Sequence, residues 1–150
     1  MKSWDKTFIE IADLYATHST CAKYHVGAVL VKDRRIVSTG YNGVVSGQKH
    51  CNEVFKNINF KEDKKASELH HEWSLKNELH AEQNCIACAA KNGISTEGTT
   101  IFINLQPCLS CAKLIVAAGI KRVVYKEPYL REQESIEFLR NAGIEVCQCN

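Results

Sequence analysis

The amino-acid sequence predicts an α/β fold in which one sheet of about five strands carries helices on both faces. The first observation is a hairpin rich in β-branched residues, formed by residues 26–31 (VGAVLV) and 35–41 (RIVSTGY) around the polar KDR. The second is a helix-spaced apolar pattern in residues 4–19, ahead of that hairpin. The third is an alternation of helical and extended patterns through the second half of the chain.

The remaining elements follow a long polar segment. Residues from about 44 to 62 lack periodicity and are predicted to form a loop, whose length suggests a functional role. The later elements are, in order, a helix in KASELHHEWSLKNEL, a helix at 80–91, a strand in TTIFINL, a helix at 108–118, a strand in KRVVYK, a helix in REQESIEFLRNAG and a strand in IEVCQC. We expect one domain over residues 1–150.

Composition and charge limit the classes of function. The chain has a formal net charge of +2 and no concentrated basic block, so we do not expect a nucleic-acid partner. No apolar run approaches the ~20 residues needed to cross a bilayer, and the first residues lack the apolar core of a secretory signal. We therefore expect a cytoplasmic protein without membrane association. In that compartment, eight cysteines indicate metal ligands or buried thiols.

The segment PCLSC has the strongest metal-binding pattern. Cys108 and Cys111 are predicted to share one face of a first helical turn, directly after a buried strand. Pro107 suits the start of a helix, where a backbone N–H is not needed. The free N–H groups and positive dipole of that helix end favour thiolate, which is the form that binds metal. Two thiolates leave a tetrahedral zinc ion short of ligands, and a catalytic zinc keeps one position for water.

The segment HAE is predicted to complete this site. His80 begins its own helix and can supply a third zinc ligand. Glu82 follows within one turn, where it can reach a water molecule without binding the metal. Zinc activates water, and a carboxylate next to it moves protons. The combination predicts a hydrolytic site.

The other cysteine pairs are predicted to be structural. Cys85 and Cys88 lie inside a helix among apolar residues, without the free N–H groups that stabilise thiolate, so we expect them to pack. Cys147 and Cys149 alternate along the last strand and face one side, where packing is again the expected role and a metal or redox role is the alternative.

H-x-E followed by P-C-x-x-C is the signature of zinc-dependent deaminases. With VGAVLV, STGYNG, EWSLKNELHAEQN, PCLSCAK and GIKRVVY, the chain resembles the cytidine deaminase superfamily, most closely its deoxycytidylate (dCMP) deaminase branch. The resemblance implies a three-layer α/β/α cytidine-deaminase-like fold with a mixed sheet. It also implies a catalytic Zn²⁺ on His80, Cys108 and Cys111. Glu82 would move protons from the attacking water to N3 and the leaving amine as dCMP becomes dUMP, the precursor of thymidylate.

The resemblance also implies substrate contacts. Asn42 in GYNG would bind the substrate at the mouth of the site, whereas an ordinary turn is the alternative. Lys91 and Tyr129 match positions that the family uses to anchor a phosphate, and solvated surface residues are the alternative. Lys91 offers a point charge where some members have an arginine, so we expect a looser anchor.

A second, structural Zn²⁺ is implied by the same resemblance. Matching the family pattern selects Cys21, Cys51 and His70, with Glu78 as a less certain fourth ligand. Such a closed site would tie the first helix, the long loop and the helix before His80 together. Unrelated thiols and a surface histidine are the alternative.

The resemblance to this family further implies a homo-oligomer, with a hexamer favoured, and the effectors dCTP and dTTP.

Three other functions remain open. A nucleoside cytidine deaminase or a tRNA adenosine deaminase would share the zinc core. The low net charge argues against tRNA, and Lys91 and Tyr129 argue against a free nucleoside. A non-catalytic zinc-binding module would require loss of Glu82 or of the open zinc position.

Overall fold

The computed structural model describes all residues from 1 to 150. The helices are α1 Trp4–Ala16, α2 Cys51–Val54, α3 Lys64–Asn77, α4 Ala81–Lys91, α5 Leu109–Ala117 and α6 Ser135–Asn141. The strands are β1 Gly27–Lys32, β2 Arg35–Tyr41, β3 Gly43–Val44, β4 Glu78–Leu79, β5 Thr100–Leu105, β6 Arg122–Glu127 and β7 Glu145–Gln148.

A mixed five-stranded sheet has the order β2-β1-β5-β6-β7, which confirms the predicted fold class. β1 runs antiparallel to both of its neighbours, whereas β5, β6 and β7 are parallel to one another. The parallel part follows from the helical crossovers α5 and α6, because parallel strands need a long connection. β3 and β4 form a separate two-stranded ribbon.

Helices cover both faces of this sheet. Alternate residues of β1 show the division, since side chains along a strand point to opposite faces. Val29 and Val31 pack with α1, whereas Ala28 and Leu30 pack with α4, α5 and α6. Both sets are buried, which explains why VGAVLV is apolar throughout. The result is the expected three-layer arrangement.

The structure corrects three boundaries of the predicted elements. The last helix, predicted in residues 131–143, begins only at Ser135, and residues 131–134 are not helical. The first helix ends at Ala16, three residues before the predicted end. The helix predicted to run through NEL ends at Asn77, and Glu78 and Leu79 pair instead with Val44 and Gly43. Long-range strand pairing therefore overrides a helical pattern here.

The segment predicted as a loop is only partly irregular. It begins beside β3 and contains the short helix α2, whose first residue is the buried Cys51. The packing prediction for the paired cysteines is confirmed for Cys85, which is fully buried. It is wrong for Cys88, which is exposed on the outer face of α4. Cys147 and Cys149 are half-buried against the core on the α1 side of the sheet.

None of the helices combines the length and the apolar character that crossing a bilayer requires.

A glycine sets the distance between the sheet and α4. A Cβ atom at Gly40 of β2 would lie 2.5 Å from the backbone nitrogen of Cys85 and 2.6 Å from the carbonyl oxygen of Ala81. No side chain fits there, because both obstructing atoms belong to the helix backbone. α4 therefore packs directly on the surface of the sheet.

We predict that Gly40→Ala lowers the free energy of unfolding by about 1–3 kcal/mol, because the added methyl group forces α4 away from β2. Gly43→Ala is the matched control, since a Cβ atom at Gly43 meets no heavy atom within 4 Å. Urea unfolding of the two variants measures the difference. Equal stability of the two variants would contradict the proposed close packing.

Candidate active site

Two helix N-termini meet at one cavity. β4 leads into His80, which is the N-cap of α4 in an extended conformation. β5 leads through Pro107 into Cys108, which is the N-cap of α5 and is also extended. The side chain of Cys108 accepts a hydrogen bond from the backbone N–H of Cys111, and the first turn of α5 brings the Cys111 side chain to the same place. The structure thus brings together the three predicted ligands of the catalytic metal.

The distances among these three side chains fit a tetrahedral zinc ion. The Nδ1 atom of His80 lies 3.5 Å from the sulfur of Cys108 and 3.3 Å from the sulfur of Cys111. Zinc–sulfur and zinc–nitrogen bonds of about 2.3 and 2.05 Å at tetrahedral angles give an S···N separation of about 3.6 Å. Both cysteines are free thiols rather than a disulfide. Together with His80 they supply three donors, which leaves one tetrahedral position for water.

Hydrogen bonds within the group favour charge separation. The side chain of Cys111 and, after it, that of His80 lower the pKa of Cys108 to about 4. The neighbouring side chain of Cys108 and burial raise the pKa of Cys111 far above its usual range. The Cys108 thiolate raises the pKa of His80. The group thus stabilises a thiolate, which is the ligand form of cysteine.

Glu82 lies in the first turn of α4 and lines the same cavity as His80 and Cys108. It is only 4% exposed. Burial raises the pKa of Glu82 to about 7, although the charge of His80 acts in the opposite direction. A carboxyl group with a pKa near neutrality can both accept and release a proton, as a general acid–base catalyst must.

The cavity has a volume of about 620 Å³, which lies within the range of small-molecule sites. Lys23 and Arg131 line it and provide positive charge. Tyr24 and Tyr129 also line it, with their rings edge to face at a centroid distance of 6.0 Å. The cavity therefore combines a metal-binding end with cationic and aromatic side chains.

Asn42 lines the cavity but also has a structural role. Its amide oxygen accepts a hydrogen bond from the backbone N–H of Val26 at 2.8 Å, and its NH₂ group donates to the carbonyl of Tyr24 at 2.9 Å. These bonds hold the chain where it enters β1. One N–H of the amide is left over, so contact between Asn42 and the substrate stays a prediction.

The two residues predicted to bind phosphate occupy different places. Tyr129 lines the cavity. Lys91 is the last residue of α4, an 11-residue helix about 16 Å long that begins at the cavity. Its side chain is exposed and is not among those that line the cavity. The structure therefore does not bring Lys91 to this cavity.

Lys23 and Arg131 are the lysine and the arginine of the cavity, and sequence reasoning missed both. Lys23 follows the predicted metal ligand Cys21 by two positions, and Arg131 follows Tyr129 by two. Each lies close in sequence to a residue already assigned to a site, which is the signal that could have identified them.

A second group of metal-binding side chains adjoins the cavity. Cys21, Cys51, His70 and Glu78 are all buried, and their donor atoms lie within 4.8 Å of one another. The sulfur of Cys21 is 3.4 Å from Nε2 of His70 and 3.9 Å from the sulfur of Cys51. Tetrahedral zinc gives separations of about 3.6 Å for S···N and about 3.8 Å for S···S. The structure thus brings together all four residues predicted for a second metal.

The hydrogen bonding of Glu78 also fits a cation. One carboxylate oxygen accepts a hydrogen bond from Ser74 at 2.7 Å, but the other is buried without a partner. An unpaired buried carboxylate oxygen is costly, and a bound metal ion would satisfy it. Two sulfurs, an imidazole and a carboxylate form a closed set of four donors, which is typical of structural zinc sites.

Comparison with known proteins agrees with this geometry. Residues 2–127 match the family described as the cytidine and deoxycytidylate deaminase zinc-binding region. Deoxycytidylate deaminase of Enterobacteria phage T2 is 40% identical over 93% of this chain and 89% of the relative. ComE operon protein 2 of Bacillus subtilis is 35% identical over 97% of this chain and 71% of the relative.

Among solved structures, dCMP deaminase from the cyanophage S-TIM5 in complex with dCMP and dUMP is similar along 99% of both chains. The TM-score is 0.80 and the sequence identity is 31%. The family match spans most of the chain and includes both halves of the H-x-E and P-C-x-x-C pattern. The chain therefore belongs to the cytidine and deoxycytidylate deaminase family.

Proposed function

We propose that this protein is a dCMP deaminase that hydrolyses dCMP to dUMP and ammonia, supplying the precursor of thymidylate. The observation that carries the proposal is the placement of the buried Glu82 beside the group of His80, Cys108 and Cys111. That group lies at one end of a cavity large enough for a nucleotide. The relatives named deoxycytidylate deaminase and the S-TIM5 structure support dCMP as the substrate.

His80, Cys108 and Cys111 would hold the catalytic zinc ion. When bound, zinc lowers the pKa of water toward neutrality and so supplies a nucleophile at physiological pH. Glu82 would accept one proton from the attacking water and deliver it to N3 of the cytosine ring, and would then carry the remaining proton of that water from the new hydroxyl group to the leaving amine. Its burial serves this role because a carboxyl group shielded from solvent exchanges protons with the substrate rather than with bulk water.

Lys23 and Arg131 would anchor the phosphate of the nucleotide, together with Tyr129. Both cations line the cavity, and they are close enough that Arg131 contributes, after burial, to lowering the pKa of Lys23. Two like charges held near each other favour an anion between them. A guanidinium group adds a planar fork that matches phosphate oxygens. Asn42 would contact the substrate through its remaining N–H group.

We also propose that Cys21, Cys51, His70 and Glu78 hold a second, structural zinc ion. The support is the closed set of buried donors and the unpaired oxygen of Glu78. Family membership alone supports a cytoplasmic homo-oligomer, with a hexamer favoured, and regulation by dCTP and dTTP. Sedimentation and turnover measured with each effector test these last proposals.

We predict that Glu82→Gln retains its metal content but lowers kcat for dCMP by about 10³-fold or more, because an amide cannot transfer the protons. Ammonia release and zinc measured by mass spectrometry give the two values. Glu72→Gln, on the exposed face of α3 and away from the cavity, is the matched control. Near-normal turnover by Glu82→Gln would refute the proton-transfer role.

We predict that Lys23→Ala raises KM for dCMP by about tenfold or more, because one of the two cations facing the phosphate is removed. The slower reaction with deoxycytidine should change little, since that substrate has no phosphate. Lys91→Ala tests the other anchor and should leave KM for dCMP within twofold. If KM for dCMP instead rises in Lys91→Ala and not in Lys23→Ala, Lys91 at the end of α4 binds the phosphate and Lys23 does not.

We predict two zinc ions per chain in the purified protein, because two separate groups of donors fit tetrahedral coordination. Cys51→Ser should reduce the content to one, whereas Cys88→Ser, an exposed cysteine on α4, should leave it at two. One zinc ion per chain in the unmodified protein would show that the group around Cys51 is not a zinc site.

A further inference from the structure

The turn that carries Lys23 is held by two sulfurs of the second metal-binding group. The backbone N–H of Ala22 donates to the sulfur of Cys51 at 3.2 Å. The backbone N–H of Tyr24 donates to the sulfur of Cys21 at 3.4 Å. These N–H groups lie on either side of Lys23 in the chain. The backbone position of Lys23 is therefore set by the same two sulfurs that would bind the metal.

The side chain of Lys23 is also held by elements that contact this group. Its ammonium donates a hydrogen bond to the hydroxyl of Ser67, one turn before His70 on α3. It lies 5.9 Å from the ring centre of Phe60, and that ring contacts the His70 ring at a centroid distance of 5.1 Å. Two of the groups that contact the ammonium thus lie beside His70, and a third is the ring of Tyr24, whose centre is 5.3 Å away.

The second group and the cavity share a wall. Cys21, His70 and Glu78 each contribute to the metal-binding group and also line the cavity that contains Glu82. The same turn positions a further cavity residue, because the carbonyl of Tyr24 accepts the hydrogen bond from Asn42. Direct contacts therefore connect the second group with the end of the cavity that Lys23 lines.

We infer that a metal ion bound by Cys21, Cys51, His70 and Glu78 sets the affinity of the cavity for the substrate phosphate, by fixing the position of Lys23. This inference rests on the proposed dCMP deaminase function. It assigns the second site a role in substrate recognition beyond tying together the segments that carry its ligands.

The physical basis is the ordering of a cationic side chain before the substrate arrives. When the metal fixes Cys21 and Cys51, the sulfurs stay in place as hydrogen-bond acceptors and the turn keeps one conformation. When the metal is lost, binding the phosphate must order that turn, and fixing one residue's backbone corresponds to about a tenfold change in affinity. The group of His80, Cys108 and Cys111 has its own ligands and does not depend on these sulfurs.

The experiment uses Cys51→Ser in the full chain, with Cys88→Ser as the matched control. Calorimetry in a Glu82→Gln background measures dCMP affinity without turnover, and mass spectrometry measures zinc in the same samples. We expect Cys51→Ser to lose one zinc ion and to bind dCMP at least fivefold more weakly. In the active background, the ratio of kcat/KM for dCMP to that for deoxycytidine should fall by a similar factor.

A double-mutant cycle with Lys23→Ala separates this role from general support of the fold. If the metal acts through Lys23, adding Cys51→Ser to Lys23→Ala weakens dCMP binding little further. If each substitution instead weakens dCMP binding by its full factor in the double variant, the inference is wrong. It is also wrong if kcat/KM falls equally for dCMP and for deoxycytidine. Unchanged dCMP affinity after loss of one zinc ion would also overturn it.

Two further results complete the design. If Cys51→Ser does not fold, Glu78→Gln replaces it, because the amide keeps the shape of the side chain and removes its negative charge. If the unmodified protein releases no ammonia from dCMP, the proposed function fails. If it deaminates dCMP but its dCMP affinity does not depend on the second metal, only the present inference fails.

Discussion

The convergence of two helix N-termini on one buried carboxyl group is the constraint on which the site depends. α4 and α5 start at the same end of the sheet, so His80 and Cys108, their N-caps, face each other and Cys111 follows one turn later. On the side of α4 that faces the sheet, the close contact with Gly40 of β2 fixes the position of the helix. Backbone packing, rather than flexible side chains, therefore places Glu82 beside the group of His80, Cys108 and Cys111.

The sequence was sufficient for those parts of the fold and site that depend on local patterns. Cys108 and Cys111 were predictable because a buried strand gives way to a helix at Pro107, and His80 was predictable because it begins a helix with Glu82 in the first turn. The sheet was predictable from its β-branched runs. The boundary at Glu78 was not, because pairing with Val44 decides it and no local pattern records that contact.

The lysine and the arginine that line the cavity were also not predictable from local sequence patterns. The predicted helix at 80–91 already placed Lys91 at the end away from His80, but local sequence could not show that Lys23 and Arg131, 108 positions apart, line one cavity. Their placement follows from the whole fold. The second metal-binding group is similar, since Cys21, Cys51, His70 and Glu78 come from separate segments. Only resemblance to a family could select them before the structure showed their donor atoms together.

The ribbon of β3 and β4 has a consequence for how this protein tolerates change. Its two paired positions set the strand register just before His80, and Glu78 belongs to one metal-binding group while His80 belongs to the other. Because neighbouring side chains of a strand alternate, a slip by one residue would turn both donors away together. An insertion or deletion at Glu78–Leu79 would therefore displace donors of both candidate metal-binding groups at once.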